Sequence, residues 1–247
     1  MRLVFISDTH THRDFRVPEG DVLVHAGDAT GAGTLPEVRA FLAWFSSLPH
    51  SRKIFIAGNH DWLFQREPDT VRALLADHPD LVYLQDSGVA VDGVRFWGSP
   101  WQPEFMAWAF NLPRQGARIR EAWNRIPVDT DVLITHGPPH GVLDQVQGGE
   151  HLGCEELRIR LGALRPRIHI FGHIHDGYGV LRSGSCLFVN ASICDEHYRP
   201  VHDPIVVELG RSRITVLGTG RIPSSPAPGD PAGLPAGHVQ DADDGQR

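Results

Sequence analysis

The sequence is poor in cysteine and has neither a long basic run nor a long apolar one. Each shortage removes a class of protein. Cys154, Cys186 and Cys194 show no CxxC spacing, so neither a disulfide framework nor a zinc-finger pattern is expected. A reducing, cytoplasmic setting is the simpler expectation. No apolar run approaches ~18 residues, so no transmembrane helix and no membrane partner are expected. Asp8 follows only a few apolar residues, which does not make a signal peptide. A net charge of -7 without a basic run argues against a dedicated duplex-DNA or anionic-membrane binder, and no stable nucleic-acid binding is expected. A small anionic substrate is still allowed, because metal ions can supply positive charge locally. No internal repeat is evident, and no GxSxG elbow supports Ser/His/Asp hydrolysis.

What is present is a globular chain of 247 residues, 41% hydrophobic and 21% charged. That length suits one large α/β domain or two small ones. Leu3–Ile6 reads as a buried strand, Val22–Ala26 as a second and Lys53–Ala57 as a third. Between the last two, Thr34 and Glu37 fit a capping box, and Val38, Phe41, Leu42 and Phe45 recur at helical spacing. Strand, helix and strand at this spacing form a βαβ unit and favour a parallel sheet.

A helix is expected over about 69–77. Shorter strands follow around Val82–Leu84, Val89–Val91 and Val94–Trp97, the last two joined by an Asp92-Gly93 hairpin turn. Ser99–Pro113 reads as a large aromatic loop, with at least one ring lining a pocket. Helices over 117–124 and 154–164 flank strands at Asp131–Thr135 and Ile168–Phe171. Strands are expected again near 178–181, 186–189, 205–208 and 214–217. Residues 1–220 form the expected domain. Residues 221–247, rich in Pro, Ala, Gly, Ser and Asp, are expected to be a disordered acidic tail.

Chemistry gathers at the strand ends. Asp8 and His10, two apart, would share one side of extended backbone. The second strand ends in Gly27-Asp28, the third in Gly58-Asn59-His60-Asp61, the fourth in His136-Gly137 and the fifth in Gly172-His173-Ile174-His175. Ligands bind at the carboxyl ends of strands in α/β sheets. Convergence of Asp8, His10, Asp28, Asn59, His136, His173 and His175 exceeds what one ion needs. It suits two divalent ions with Asp28 shared. The donor set favours Mn²⁺, Fe or Zn²⁺ over a soft-metal site. Gly27, Gly58 and Gly172 precede ligands where a sharp turn is expected to need a permissive backbone.

D-x-H, GD, GNHD, H and GHIH in this order resemble the calcineurin-like metallophosphoesterases, over roughly Arg2 to Leu209. The closest likeness is to the metallophosphoesterase-domain-containing group. It is carried by segments such as IAGNHD, YLQDS, FNLPR, THGPPHG and VNASICDEHYRPVHDPIVVEL. The resemblance implies a four-layer αββα sandwich, two mixed sheets flanked by helices. It assigns Asp8, His10, Asp28 and His175 to the first metal, and Asp28, Asn59, His136 and His173 to the second. His60 would stand near the leaving group with Asp61 as its orienting carboxylate. The implied activity is hydrolysis of phosphodiesters, as in small or cyclic nucleotides, by attack of a metal-bridging hydroxide. A phosphomonoesterase or nuclease on the same site, and a nucleotide-binding regulator with weak catalysis, are the alternatives. His140, in the Pro-Pro loop, and His12 are candidate substrate contacts. His25 and His169 read as packed or supporting residues, Asn190 as a turn or supporting residue, and His197 as a loop residue near the pocket.

Overall fold

The computed structural model describes residues 1–218. In chain order these form β1 (Arg2–Ile6), β2 (Val22–His25), α1 (Leu35–Ser47), β3 (Arg52–Phe55), α2 (Trp62–Arg66), α3 (Pro68–Ala76) and β4 (Leu81–Tyr83). Next come β5 (Ser87–Val91), β6 (Val94–Ser99), β7 (Gln102–Pro103), β8 (Asn111–Leu112), α4 (Ala117–Asn124), β9 (Val132–Thr135) and α5 (Glu155–Leu164). The last are β10 (Ile168–Phe171), β11 (Gly179–Ser183), β12 (Cys186–Asn190), β13 (Ile205–Leu209) and β14 (Ile214–Gly218). The expected tail over 221–247 lies outside the described residues.

Two six-stranded sheets run β14-β13-β1-β2-β3-β4 and β11-β12-β10-β9-β6-β5. In the first, β1 to β4 are parallel, and β13 is antiparallel to both β1 and β14. In the second, β12, β10, β9 and β6 are parallel, with β11 and β5 as antiparallel edges. Both sheets are therefore mixed.

The layers follow from period-2 alternation. Leu3 and Phe5 of β1 point into the space between the sheets, where they join Val24, Ile54, Val132, Ile134 and Ile170. Val4 and Ile6 point the other way, with Phe41, Leu42 and Phe45 of α1. On the far side, Leu133 and Phe171 pack with Trp123 of α4 and Leu157 and Leu161 of α5. This is the four-layer αββα sandwich.

The Thr34–Glu37 capping box forms: Thr34 Oγ1 accepts from Glu37 N–H, and Glu37 Oε2 accepts from Thr34 N–H at 2.8 Å. Two elements escape the hydrophobic pattern. The five-residue α2 is too short to show a helical period. The aromatic stretch after β6 is not wholly irregular, because β7 and β8 pair in parallel within it.

Beyond the strand ends the two sheets are stitched together. Ser7 and Ser192 form a parallel bridge, and Ile193 N–H donates to Ser7 O at 2.8 Å. The carboxyl ends of both sheets thus open on the same place.

Candidate metal centre

The backbone at this edge departs from the expected extended form. Asp8, His10 and Thr11 have φ of 51°, 41° and 71°, and Asp28 and His173 have 56° and 66°. Asp8 and His10 therefore do not share a side through strand alternation. A left-handed turn brings them together, a conformation that Asp and His adopt more readily than most residues. The turn is zipped onto its neighbour: Asp8 N–H donates to Gly27 O at 2.9 Å, His10 N–H to Asp28 O at 3.0 Å and Thr11 N–H to Ala29 O at 3.1 Å. From beneath, His25 Nε2 meets Thr9 Oγ1 at 3.0 Å while Gly27 N–H donates to His25 Nδ1.

The glycines serve two different ends. Gly27 has φ of 103°, so it does need a permissive backbone. Gly58 and Gly172 are needed for space instead. A Cβ at Gly172 would collide with Asp8 Oδ2 and Ser7 Oγ, and one at Gly58 with Asp28 Oδ1.

Two donor groups share no residue. Asp8, His10 and His175 offer ligand atoms within 4.8 Å of one another, and so do Asp28, His136 and His173; a third group, His10, Asp28 and His60, links them. In the first, His175 Nε2 lies 3.3 Å from Asp8 Oδ1 and 3.4 Å from His10 Nε2. In the second, His136 Nε2 lies 3.3 Å from Asp28 Oδ2 and 2.9 Å from Asn59 Oδ1. Asp28 Oδ2 also lies 3.9 Å from His10 Nε2, so it faces both groups.

These contacts fit a cation. His175 Nδ1–H donates to Asp195 O at 2.8 Å and His136 Nδ1–H to Ala26 O at 3.0 Å. Each ring's Nδ1 proton is therefore committed away from the site, and each Nε2 points inward, where it can bind an ion once it gives up its own proton. Carboxylate oxygens, imidazole nitrogens and an amide oxygen then converge on one another, an arrangement that a cation, or protons on the two rings, reconciles. Donors sharing an ion at ~2.1 Å sit roughly 3.0–3.4 Å apart, as several of these do.

The electrostatics agree. Burial pushes Asp8 up, but the hydrogen bond and charge of His175 outweigh it, and its pKa falls well below the usual range. Asp28 is lowered too, with His136 outweighing burial. Burial pushes His136 and His175 down, yet Asp28 and Asp8 respectively raise them to about 9. Both carboxylates are thus held ionised, as ligands must be.

Other contacts fix these groups. Ser192 Oγ–H donates to Asp8 Oδ2 at 2.9 Å, and His173 N–H reaches both Asp8 oxygens at 3.0 Å. Asn190 Oδ1 accepts from Ser192 N–H at 3.2 Å. The expected supporting place of Asn190 is thus reached through Ser192.

His60 lies with its Nε2 4.0 Å from Asp28 Oδ2. Its Nδ1–H donates to Gly31 O at 2.7 Å, and Trp108 stacks on its ring at 4.1 Å. Asp61 does not orient His60 as expected, because its carboxylate accepts from Ala29 N–H, Thr30 N–H, Thr30 Oγ1–H and Gly58 N–H. Asp61 ties the second and third strand-end loops together, and Gly31 and Trp108 hold the imidazole. Burial, then Asp28, raises Asp61 to about 6.

The donor groups floor a cleft of about 510 Å³, walled by Phe105, Arg114 and Tyr198 among others. The two expected substrate contacts sit elsewhere. His12 bonds Tyr198 O at 3.0 Å and lines a separate cavity of about 360 Å³ beside α1. His140 groups with His151 around the buried Asp144. Tyr198, next to His197, is the residue that reaches the cleft. The sequence does not single out Ser192, Trp108 or Tyr198. Their one signal is membership of aromatic or polar loops with no hydrophobic role.

Residues 1–177 match the Calcineurin-like phosphoesterase family. The chain belongs to that family. It is 45% identical to human Metallophosphoesterase domain-containing protein 1 over 235 residues, covering 86% of this chain and 72% of the human one. It is 37% identical to UPF0046 protein K07C11.7 of Caenorhabditis elegans over 227 residues, covering 87% and 77%. Among solved structures, TT1561 of Thermus thermophilus superposes with a TM-score of 0.60 at 14% identity, over 89% of this chain and 99% of that one. GAP50 of Plasmodium does so with 0.53 at 12%, over 87% and 83%. At those identities the likeness concerns the fold. This calcineurin-like phosphoesterase is a metal-dependent phosphoesterase, hence a hydrolase, with candidate His and Asp ligands in place. Among the described residues no helix is long and apolar enough to cross a membrane.

Proposed function

We propose that the protein is a phosphodiesterase that uses two divalent cations and acts on small diesters, cyclic nucleotides included. The observation that carries this is Asp28 Oδ2 facing both donor groups, 3.3 Å from His136 and 3.9 Å from His10. Asp8, His10, Asp28 and His175 would hold one ion, and Asp28, Asn59, His136 and His173 the other. Bound there, Mn²⁺, Fe or Zn²⁺ would supply Lewis-acid polarisation of the phosphoryl group and a water of lowered pKa.

The chain's own residues do the rest. His60, clamped by Gly31 O and Trp108, presents Nε2 beside Asp28 and can pass a proton to the leaving oxygen. The cleft wall favours a diester over a monoester. Its cation, Arg114, is paired with Glu155 at 3.1 Å, and Glu104, Asp176 and Glu196 also line it. A dianionic monoester would be repelled by these carboxylates more than a monoanionic diester would. Cleft size and the net charge of -7 favour small substrates over nucleic acid, in a cytoplasmic setting.

The test is a panel on Mn²⁺-loaded protein. Bis-p-nitrophenyl phosphate should exceed p-nitrophenyl phosphate by at least about tenfold in kcat/KM. A reversed ratio overturns the diester assignment. Asp28→Ala should lose both ions by elemental analysis, and loss of a single ion would contradict its sharing.

A further inference from the structure

Tyr198 has an unusual backbone conformation. Its φ is 60°, a left-handed value that is an outlier for a bulky residue. The turn around it enforces that value. Tyr198 N–H donates to Asp195 O at 2.9 Å, and Asp195 N–H to Arg199 O at 2.9 Å. The Asp195 carboxylate accepts from His197 N–H at 3.0 Å, Arg199 N–H at 2.9 Å and Arg199 Nε–H at 2.7 Å. Tyr198 O accepts from His12 Nε2–H at 3.0 Å.

The outcome is an aromatic ring that stays 49% exposed. It joins none of the three apolar clusters. Instead it lies 4.7 Å from the His10 ring, 5.7 Å from His175 and 6.0 Å from His60, centroid to centroid. It also lines the cleft. A ring held at that range from three site imidazoles can meet a group attached to a phosphorus seated among them.

Resting on the phosphodiesterase reading, we propose that Tyr198 is a specificity-determining residue for the organic arm of the ester. Its exposed face is a platform for a flat, uncharged arm, an aryl group or a nucleobase. Nearby Glu196 disfavours an anionic arm, and a small alkyl arm has no face to offer the ring.

The test compares two diesters that release the same p-nitrophenolate, bis-p-nitrophenyl phosphate and methyl p-nitrophenyl phosphate. They differ only in the arm that remains. Tyr198→Ala should lower kcat/KM for the bis-aryl ester by about tenfold, in line with the loss of one stacked ring. The methyl ester should change by less than about twofold. Tyr198→Phe keeps the platform and should leave both within about twofold. Equal loss on both esters, loss of bound Mn²⁺ in Tyr198→Ala, or no change on either ester would overturn the proposal. Should wild type cleave neither diester, the phosphodiesterase reading fails on its own. The platform is then read by calorimetry on Mn²⁺-loaded protein. Tyr198→Ala should weaken phenyl phosphate and not methyl phosphate, and equal weakening or none overturns it.

Discussion

Asp8 is held at both carboxylate oxygens, and the two grips differ in kind. His173 N–H is backbone and survives any side-chain change, whereas the bond from Ser192 Oγ at 2.9 Å can be deleted. That bond fixes Oδ2 and leaves Oδ1 for His175 at 3.3 Å. Ser192→Ala should therefore let the carboxylate turn. Loss of such a supporting bond typically weakens metal binding by about ten- to a hundredfold. On the proposed two-ion assignment the effect should fall on the ion assigned to Asp8, His10 and His175, and the ion assigned to Asp28, His136 and His173 should bind as before. Stability should fall by about 1.5–3 kcal/mol, the contribution of a hydrogen bond to a charged group. Stepwise Mn²⁺ titration checks this, and equal weakening of both ions would show that the two groups are not separable.

At the scale of elements, the strand ends decide where the ligands are, and spacing decides how closely they can meet. A Cβ at Gly172 would strike Asp8 Oδ2 and Ser7 Oγ, although β10 itself would be undisturbed. Gly172→Ala should fold, at a cost of about 1–3 kcal/mol for the forced shift. On the proposed assignment it should lose the ion assigned to Asp8, read as lower metal content with an intact circular dichroism spectrum. Unchanged metal content would sink the space argument. Most of this layer was legible in the sequence. The apolar runs, the Thr34–Glu37 box, the Asp92-Gly93 turn and the span of α4 all come from local pattern. Apart from the short α2, the illegible parts share a cause, partners far away in the chain. Asp8 and His10 meet through a left-handed turn zipped to residues 27–29, not through strand alternation. Asp61 takes its partners from the loop at 29–30. Ser192 lies 184 residues from Asp8, and Tyr198 reaches His10 only because β1 and β12 are bridged beyond their ends.

For the whole molecule, the buried titratable groups set opposing pH trends. His25 and His169 are lowered to about 3, by burial above all. Their unfolded values lie near 6.5, so below that pH the unfolded chain binds the protons. Their contribution is complete above pH 6.5 and is lost as pH falls towards 3. Asp61, raised to about 6, opposes this between roughly pH 6 and 4, where the folded state takes up the proton. His10 and His173, lowered by burial to about 4 and about 3, act in the same direction as His25 and His169, so four histidines face one carboxyl and stability falls as pH falls there. His136 and His175, raised to about 9 against the push of burial, act on the other side. Their contribution is complete below pH 6.5 and is lost as pH rises to about 9. Protein treated with a chelator should therefore be most stable near pH 6.5 in urea titrations across pH. His169→Gln, which can still donate to Thr135 Oγ1, should flatten the acid side without moving the alkaline one. If the proposed assignment holds, Mn²⁺ would compete with the protons on His136 and His175, so its binding should tighten with pH up to about 9 and abolish the alkaline decline. A decline that persists with saturating Mn²⁺ would mean that the ion does not occupy the two Nε2 positions.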